Sequence, residues 1–420
     1  MKKILYTLNA VLLLSLFIVF QGCSEDPQPS IYDLVGGSNP APVVNSVSPT
    51  QAFAVVTPIT ITGENFSPDI NKNKVYFNGI PGKVISATTT QLVVESANVI
   101  SDSVKVKVQV SGSDDFSNII NYKLVPALSE ITKADGSELF TSNNIPYGIT
   151  TDAQGNVYTS IVENGVGKGI RKILPSGELI LSGEMVDFAP KGGETFFTRM
   201  NMWQNNTIIA VRRVNAIFQV TQGVASKVFT TLGLTAQTPM YDIEFDQNQN
   251  LWAGGKGLFR YKTTPAIEVK NFNYANEIKA LRVYNNALYL LTTVDGNDVI
   301  RKHQIISADE IGAAEEVFNI GNSVLPDTGS AKVTASDFEI AADGDIIIGT
   351  TRNTDPIIVV HQDGTFASLY PGLIPAGTVV YAFDWAPASQ YLYFTRLATT
   401  GTQTIFRISM QKDGAVHYGR

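Results

Sequence analysis

Six segments of this 420-residue chain share a short alternating triplet. They are Ile149-Thr150-Thr151, Met200-Asn201-Met202, Ile243-Glu244-Phe245, Leu281-Arg282-Val283, Phe338-Glu339-Ile340 and Phe383-Asp384-Trp385. In an extended strand, the middle residue of each triplet shares a face with the residue two before it. That gives the pairs Gly148/Thr150, Arg199/Asn201, Asp242/Glu244, Ala280/Arg282, Asp337/Glu339 and Ala382/Asp384. The pairs hold five acids and two arginines. Tyr147, Tyr241 and Tyr381 each stand one position before a pair.

Such a set allows two kinds of chemistry. Acids, arginines and aromatic rings can bind a ligand, the acids taking hydroxyls and the rings taking sugar faces. Alternatively, carboxylate and amide oxygens can hold a hard cation such as Ca2+. A third reading involves no ligand, since Arg282 with Glu244 or Glu339 can form a structural ion pair. The single cysteine, Cys23, excludes an intrachain disulfide, and three histidines leave little for a His/Cys metal cluster. His303, His361 and His417 fall on late strands or the terminus, away from the paired positions, and read as surface or edge histidines. No Gly-x-Ser-x-Gly, phosphate-binding Gly-Lys loop or His-Glu-x-x-His motif occurs, so no catalytic residue is assigned.

The chain is 44% hydrophobic and 16% charged, with a net charge of −7. Residues 1–22 carry Lys2 and Lys3 and no acid, so removing those two charges leaves −9 from Cys23 onward. An acidic chain of this kind lacks the basic face that nucleic acid requires. Lys2 and Lys3 precede an apolar run, Ile4 to Phe20, that is shorter than a membrane span and reads as a signal peptide. Residues 24–42 hold Pro27, Pro29, Gly36, Gly37, Pro40 and Pro42 and read as a tether. Over 43–125, short alternating runs separated by turns indicate a sandwich of six or seven strands. Val104, Val106, Val108 and Val110 occupy every second position of one run, and Asn78-Gly79 marks a hairpin turn.

From 127 to 420 the triplet, a polar turn and further short strands recur six times at intervals of about 47 residues, the pattern of a six-bladed β-propeller. In that fold the first strand of each blade lines a central channel, so the paired positions and the three tyrosines become a candidate channel-mouth site. Trp203, Trp252 and Trp385 are expected in blade cores. Ser307-x-x-Glu310 has the form of a capping box and predicts a short helix. Either Ala127–Ile131 or Ala415–Tyr418 can supply the outer strand that closes the ring.

Three resemblances add to this. Gly22-Cys23 after the apolar run, followed by Ser24-Glu25-Asp26, resembles a Bacteroidetes-type lipoprotein signal. It implies lipidation of Cys23, an anchor in the outer membrane and exposure at the cell surface. Val47-Ser48-Pro49, Ile61-Thr62-Gly63-Glu64-Asn65-Phe66, Val75-x-Phe77-x-Gly79 and Thr90-x-Leu92-x-Val94 resemble the IPT/TIG family of immunoglobulin-like domains. Pro146-x-Gly148-Ile149-x-x-Asp152-x-x-Gly155-Asn156-Val157-Tyr158 resembles the opening of an NHL repeat.

The expectation is an all-β protein: residues 1–22 a signal peptide, 23–42 a lipidated tether, 43–125 an IPT/TIG sandwich and 127–420 an NHL-like propeller. The function that follows is surface binding of a glycan, or of outer-membrane proteins of a nutrient-uptake system, without a cofactor. One alternative is a lactonase- or esterase-type hydrolase. It is implied by similarity to gluconolactonase-related propellers, where Glu, Asn and Asp hold a divalent cation; Glu244, Asn201, Asp384 and Glu339 are of those types. The other alternative is a purely structural docking platform.

Overall fold

A computed structural model describes residues 39–189, 193–204, 207–327, 331–398 and 403–420. The signal segment, Cys23 and the tether up to residue 38 lie outside the described residues.

The alternating runs after Val43 form two packed sheets. One orders Val43–Ser48, Ile59–Glu64, Gln91–Glu95 and Lys83–Ala87. The other orders Gln51–Phe53, Ile120–Val125, Ser101–Val110, Asn73–Phe77 and Ile80–Pro81. Val104, Val106, Val108 and Val110 are all buried, and the residues between them face outward, as a period of two requires. Asn78 and Gly79 both take positive φ, +49° and +87°, the geometry a tight two-residue hairpin needs. Phe66, Val75, Phe77 and Tyr122 pack with the valines into one core.

Six further sheets follow. In each of the first five, four consecutive short strands pair antiparallel in chain order, with one extra short strand in the fourth. The first strands are Asn144–Thr151, Arg199–Trp203, Met240–Phe245, Ile278–Tyr284, Ala335–Ile340 and Thr378–Trp385. Each packs beside the first strand of the next sheet, and the last returns to the first, so the six sheets form a closed ring of blades. All six triplets lie on these innermost strands. The protein is therefore an all-β molecule, an immunoglobulin-like sandwich followed by a six-bladed propeller. The ring closes through Leu128–Glu130, which pairs antiparallel with Thr404–Ser409 as the outer strand of the sixth blade. The chain beyond Ser409 has another role, described below.

The polar turn after the first triplet has a physical purpose. In blade 1, Asp152 is buried and accepts from the backbone N–H groups of Gln154 and Asn156, the Asn156 amide and the Tyr158 hydroxyl. In blade 3, Asp246 does the same for Asn248, Asn250 and the Trp252 indole N–H, at 2.8 to 3.2 Å. One carboxylate thus satisfies four donors of the turn and the buried aromatic in each of these blades. Trp252 and Trp385 are fully buried in blade cores, while Trp203 is half-buried and stacks on Phe245.

Ser307-x-x-Glu310 corrects the expectation of a helix. Ser307 ends one strand and Glu310 begins the next, and the Ser307 hydroxyl accepts from the Asp309 N–H across a tight turn. A Ser side chain that bonds the backbone two residues on offers a turn rather than a helix start. The short helix lies further on, at Ile320–Ser323, capped by Asn319.

Asp246→Ala leaves several buried donors unpaired and should cost about 3 kcal/mol or more in denaturant unfolding. Asp363, an exposed turn acid bonded to Thr365, provides the control, and its alanine variant should cost under about 1 kcal/mol. Equal losses in the two variants would refute this account of the motif.

Candidate functional site

The paired positions form one column of buried polar side chains along the ring axis. Arg199, Asn201, Asp242, Glu244, Arg282, Asp337, Glu339 and Asp384 are each at most 7% exposed. Arg282 stands at the centre of this column. Its Nε donates to Glu339 at 2.8 Å, Nη1 to Asp242 at 2.9 Å, and Nη2 to Asp337 at 3.1 Å. The Asn201 amide donates to Glu244 at 2.8 Å.

Asp242 and Asp337 also hold neighbouring blades together. Asp242 accepts the Leu281 N–H of the next blade, and Asp337 accepts the Phe383 N–H of the blade after its own. Each accepts its own following N–H as well.

Residues 410–420 run across one end of the ring and enter the channel, which corrects the reading of His417 as a surface histidine. Ala342 donates its N–H to Asp413, Ala415 donates to Ile340, and Gln204 donates to Gly419. Tyr418 packs against the cores of blades 3 and 4. Two glycines permit the close approach. A Cβ on Gly414 would stand 2.4 Å from the Trp385 ring, and one on Gly419 would stand 2.5 Å from Phe245.

His417 then places Nδ1 2.9 Å from Glu244 and Nε2 3.5 Å from Glu339. Arg420 pairs with Asp384, donates to the Trp385 carbonyl at 2.7 Å and reaches the Thr151 hydroxyl at 3.2 Å. Nothing local in the sequence signals this, because His417 and Glu244 are 173 residues apart. The other two histidines lie away from the channel. His303 is buried between Tyr274 and the Gly312 carbonyl, and His361 is an exposed partner of Asp345.

The electrostatics follow from this packing. Burial and Arg420 push the His417 imidazole down, but Glu244 and Glu339 outweigh them and hold it up at about 9. Burial opposes ionisation of Glu339, yet Arg282 and His417 hold its carboxyl down at about 2. Glu244 is lowered in the same way, against burial, by His417 and Arg282. Burial wins at Asp242, which is pushed up to about 6 despite Arg282, and at Asp384, which is raised despite Arg420. Two arginines from the strands, with His417 and Arg420 from the tail, thus face the five acids.

This set does not fit a Ca2+ ion. Such an ion takes six to eight oxygen ligands, whereas Glu244, Glu339 and Asp384 are already bonded to cationic side chains. Among the described residues, no three His, Cys, Asp or Glu side chains are grouped to hold a metal.

At the other end of the channel the described residues leave a hollow, and a repeated irregularity shapes it. The innermost strand carries a bulge between Pro146 and Ile149, Met240 and Asp242, Ile278 and Ala280, Ala335 and Asp337, and Val380 and Ala382. The unpaired residues include Tyr147, Tyr241, Lys279, Ser336 and Tyr381. A bulge re-aims a side chain out of the ladder, and here it turns these five toward the mouth.

Three of them are the tyrosines singled out from the sequence. Tyr147 meets Tyr381 and Phe196 edge-on, at 5.3 and 5.0 Å between ring centroids. Arg199 lies 5.0 Å from the Tyr381 ring and Arg213 lies 4.9 Å from the Tyr241 ring. A hollow of about 250 Å3 between them is lined by Arg199, Arg213, Tyr241, Glu277, Lys279 and Tyr381 among others. Arg213 and Phe196 were not singled out from the sequence. They sit on loops outside the triplets, and no periodicity marks them.

The sequence-predicted residues are therefore divided between two regions. Tyr147, Tyr241, Tyr381 and Arg199 border the open mouth. Asn201, Glu244, Glu339 and Asp384 lie at the end sealed by the tail, with Arg282, Asp242 and Asp337 between.

Residues 42–124 match the IPT/TIG domain family. No curated protein matches the chain. Among solved structures, the chain is similar to a protein of unknown function from Bacteroides thetaiotaomicron. That similarity is 14% identity over 89% of this chain and 99% of that one, with a TM-score of 0.48. An auxiliary nutrient binding protein of the same species is 14% identical over 88% of this chain and 98% of that one, with a TM-score of 0.47. A protein of that description from Bacteroides ovatus is 13% identical over 89% and 99%, with a TM-score of 0.39. Among the described residues, no helix is long and apolar enough to cross a membrane.

The His417 interaction makes stability depend on pH. Because its value rises on folding from an ordinary 6.5 to about 9, its contribution is complete below pH 6.5 and is lost as pH climbs through 9. Thermal melts should fall steeply between pH 7 and 10. His417→Ala should flatten that slope and cost about 3 kcal/mol or more at pH 7, since it leaves buried carboxylates without their partner. A slope unchanged by the substitution would refute the assignment.

Proposed function

We propose that this protein is a surface-anchored binding module whose ligand, a glycan, enters the tyrosine-lined mouth of the propeller, and that it performs no catalysis. The observation that carries this is the asymmetry of the channel. One end is filled by the chain's own residues 410–420, while at the other, among the described residues, half-buried Tyr241 and Tyr381 line a hollow with Tyr147 and Phe196 packed beside Tyr381. Tyrosine rings offer a large apolar face with a polar tip, which suits the C–H face and hydroxyls of a sugar. The buried acids are engaged in ion pairs and blade contacts, which leaves none of them free as a general acid or base.

Location rests on the sequence. Gly22-Cys23 after the apolar run supports lipidation at Cys23 and an outer-membrane anchor, and the acidic Ser24-Glu25-Asp26 supports exposure at the cell surface. A role in nutrient uptake follows from a sugar-binding propeller held there. The sandwich contributes spacing. It touches the propeller through Gln51 and Lys123 to Glu178, and through Thr57 to Gln411 at the root of the tail. Glu178 lies in a turn at the sealed end of the ring, so the open mouth faces away from the sandwich.

Affinity electrophoresis against a broad polysaccharide panel tests the reading. The intact protein should be retarded by at least one polysaccharide. Tyr147→Ala combined with Tyr241→Ala should weaken that retention roughly tenfold or more, since stacked aromatic contacts are each worth about 1 kcal/mol, with little change in melting temperature. Retention by none of the panel would overturn the sugar reading. Cys23→Ala should abolish incorporation of labelled palmitate and release the protein from membranes.

A further inference from the structure

Resting on that reading, we propose that the open mouth selects sugars that carry a carboxylate, a uronic acid residue being the simplest case. The argument begins with Arg199. Its side chain is 8% exposed and lines the hollow. Nη1 donates to the Thr198 carbonyl at 2.9 Å and Nη2 to the Ser336 carbonyl at 3.1 Å. The Nε–H is buried with no hydrogen-bond partner among the described residues, and Asp337 stands 3.6 Å from it, beyond hydrogen-bond reach. Arg199 is thus held by two carbonyls and a longer ion pair with Asp337, and it adds a guanidinium to the floor of the hollow.

Two further cations share the rim. Arg213 is exposed and held in a left-handed conformation, φ +65°, with its N–H bonded to the Met240 carbonyl. That fold of the loop lays its guanidinium over the Tyr241 ring. Lys279 is the bulge residue of blade 4 and is anchored on buried Asp298 at 2.8 Å. Among the described residues Glu277 is the one carboxylate lining the hollow, beside Arg199, Arg213 and Lys279.

Asp337 and Asp298 balance Arg199 and Lys279, so the exposed Arg213 guanidinium is the charge the hollow offers to a ligand, on a chain of net charge −7. A guanidinium fork matches a carboxylate better than a neutral hydroxyl. At about 250 Å3 the hollow is below the usual range for a drug-sized ligand. It suits one ring with its carboxylate, flanked by tyrosine faces.

The test uses the purified chain from residue 24 onward, with polygalacturonate, alginate and hyaluronan as acidic probes. Methyl-esterified polygalacturonate, a neutral β-glucan and poly-glutamate serve as comparisons. Binding is read by calorimetry at low and at physiological salt. At least one acidic polysaccharide should bind at least tenfold more tightly than its esterified form or the neutral glucan, and binding should weaken with salt. Arg213→Ala, at an exposed position, should keep the melting temperature and lose roughly tenfold in affinity. Arg213→Gln should lose as much, and Arg213→Lys should recover part of it.

Equal binding of acidic and esterified polymers would overturn acid selection while leaving the sugar-binding reading intact. Binding of poly-glutamate as tightly as any polysaccharide would overturn the assignment to sugar. Binding to none of the probes would overturn the proposal and, together with a negative broad panel, the reading beneath it.

Discussion

Five carboxylates buried in a single shaft would repel one another and lose their hydration, so the ring can close only if cations enter with them. Arg199 and Arg282 come from the innermost strands. Arg282 alone engages Asp242, Asp337 and Glu339, which belong to two other blades. The rest of the compensation comes from His417 and Arg420 at the end of the chain. The tail therefore completes the charge balance of the channel as well as covering it. In doing so it bonds to strands or turns of blades 1, 2, 3, 5 and 6 and packs against blade 4. Closure by Leu128–Glu130 joins one blade edge, whereas the tail ties the whole ring at its axis.

The same strands meet a second constraint at the opposite end. Six twisted sheets crowd together at the axis, and most of the innermost strands leave their ladder as they approach the mouth. Five of the six do so with a bulge at the same place. The bulge frees one residue per blade from pairing, and the acid that follows it in blades 3 and 5 accepts the N–H that the next blade leaves exposed. Mouth composition and blade cohesion are thus set by adjacent residues. Tyr241 stands outside the ladder while Asp242 joins two blades, so a repeating scaffold presents non-repeating side chains at its mouth.

The sequence makes some of this legible and hides the rest for identifiable reasons. The innermost strands are visible because their alternation is strict, so the faces of Glu244, Arg282 and Glu339 follow from a period of two. The turn acids Asp152 and Asp246 are visible as part of a motif, and their hydrogen bonds show why the motif exists. The sequence leaves Arg282 open between a structural and a ligand role, and three carboxylates within 3.1 Å decide for structure. The tail was hidden because its partners are far away in sequence and its own residues have no periodicity. The pattern Gly414 to Gly419 around His417 has meaning only once Trp385 and Phe245 are in place. Ser307-x-x-Glu310 fits both a helix start and a turn, and the neighbouring strands select the turn.

The two ends of the channel also explain where the sandwich sits. Thr57 of the sandwich donates to Gln411, the second residue beyond the last propeller strand, at 2.7 Å. Lys412 next to it is pinned by Asp343 and Asp345. The tail is thus fixed at its root by both domains before it crosses to the axis. A sandwich docked at the mouth would cover Tyr147 and Tyr241; docked at the sealed end, it covers a surface the tail has already closed. The order of the chain permits this arrangement, since the strand that closes the ring, Leu128–Glu130, follows the last sandwich strand by only two residues. With so short a connection, the sandwich can sit only near the sixth blade, which is also where the tail begins. The closing strand, the tail and the sandwich therefore meet at one edge of the ring, and the open face is left to the residues that the bulges turn outward.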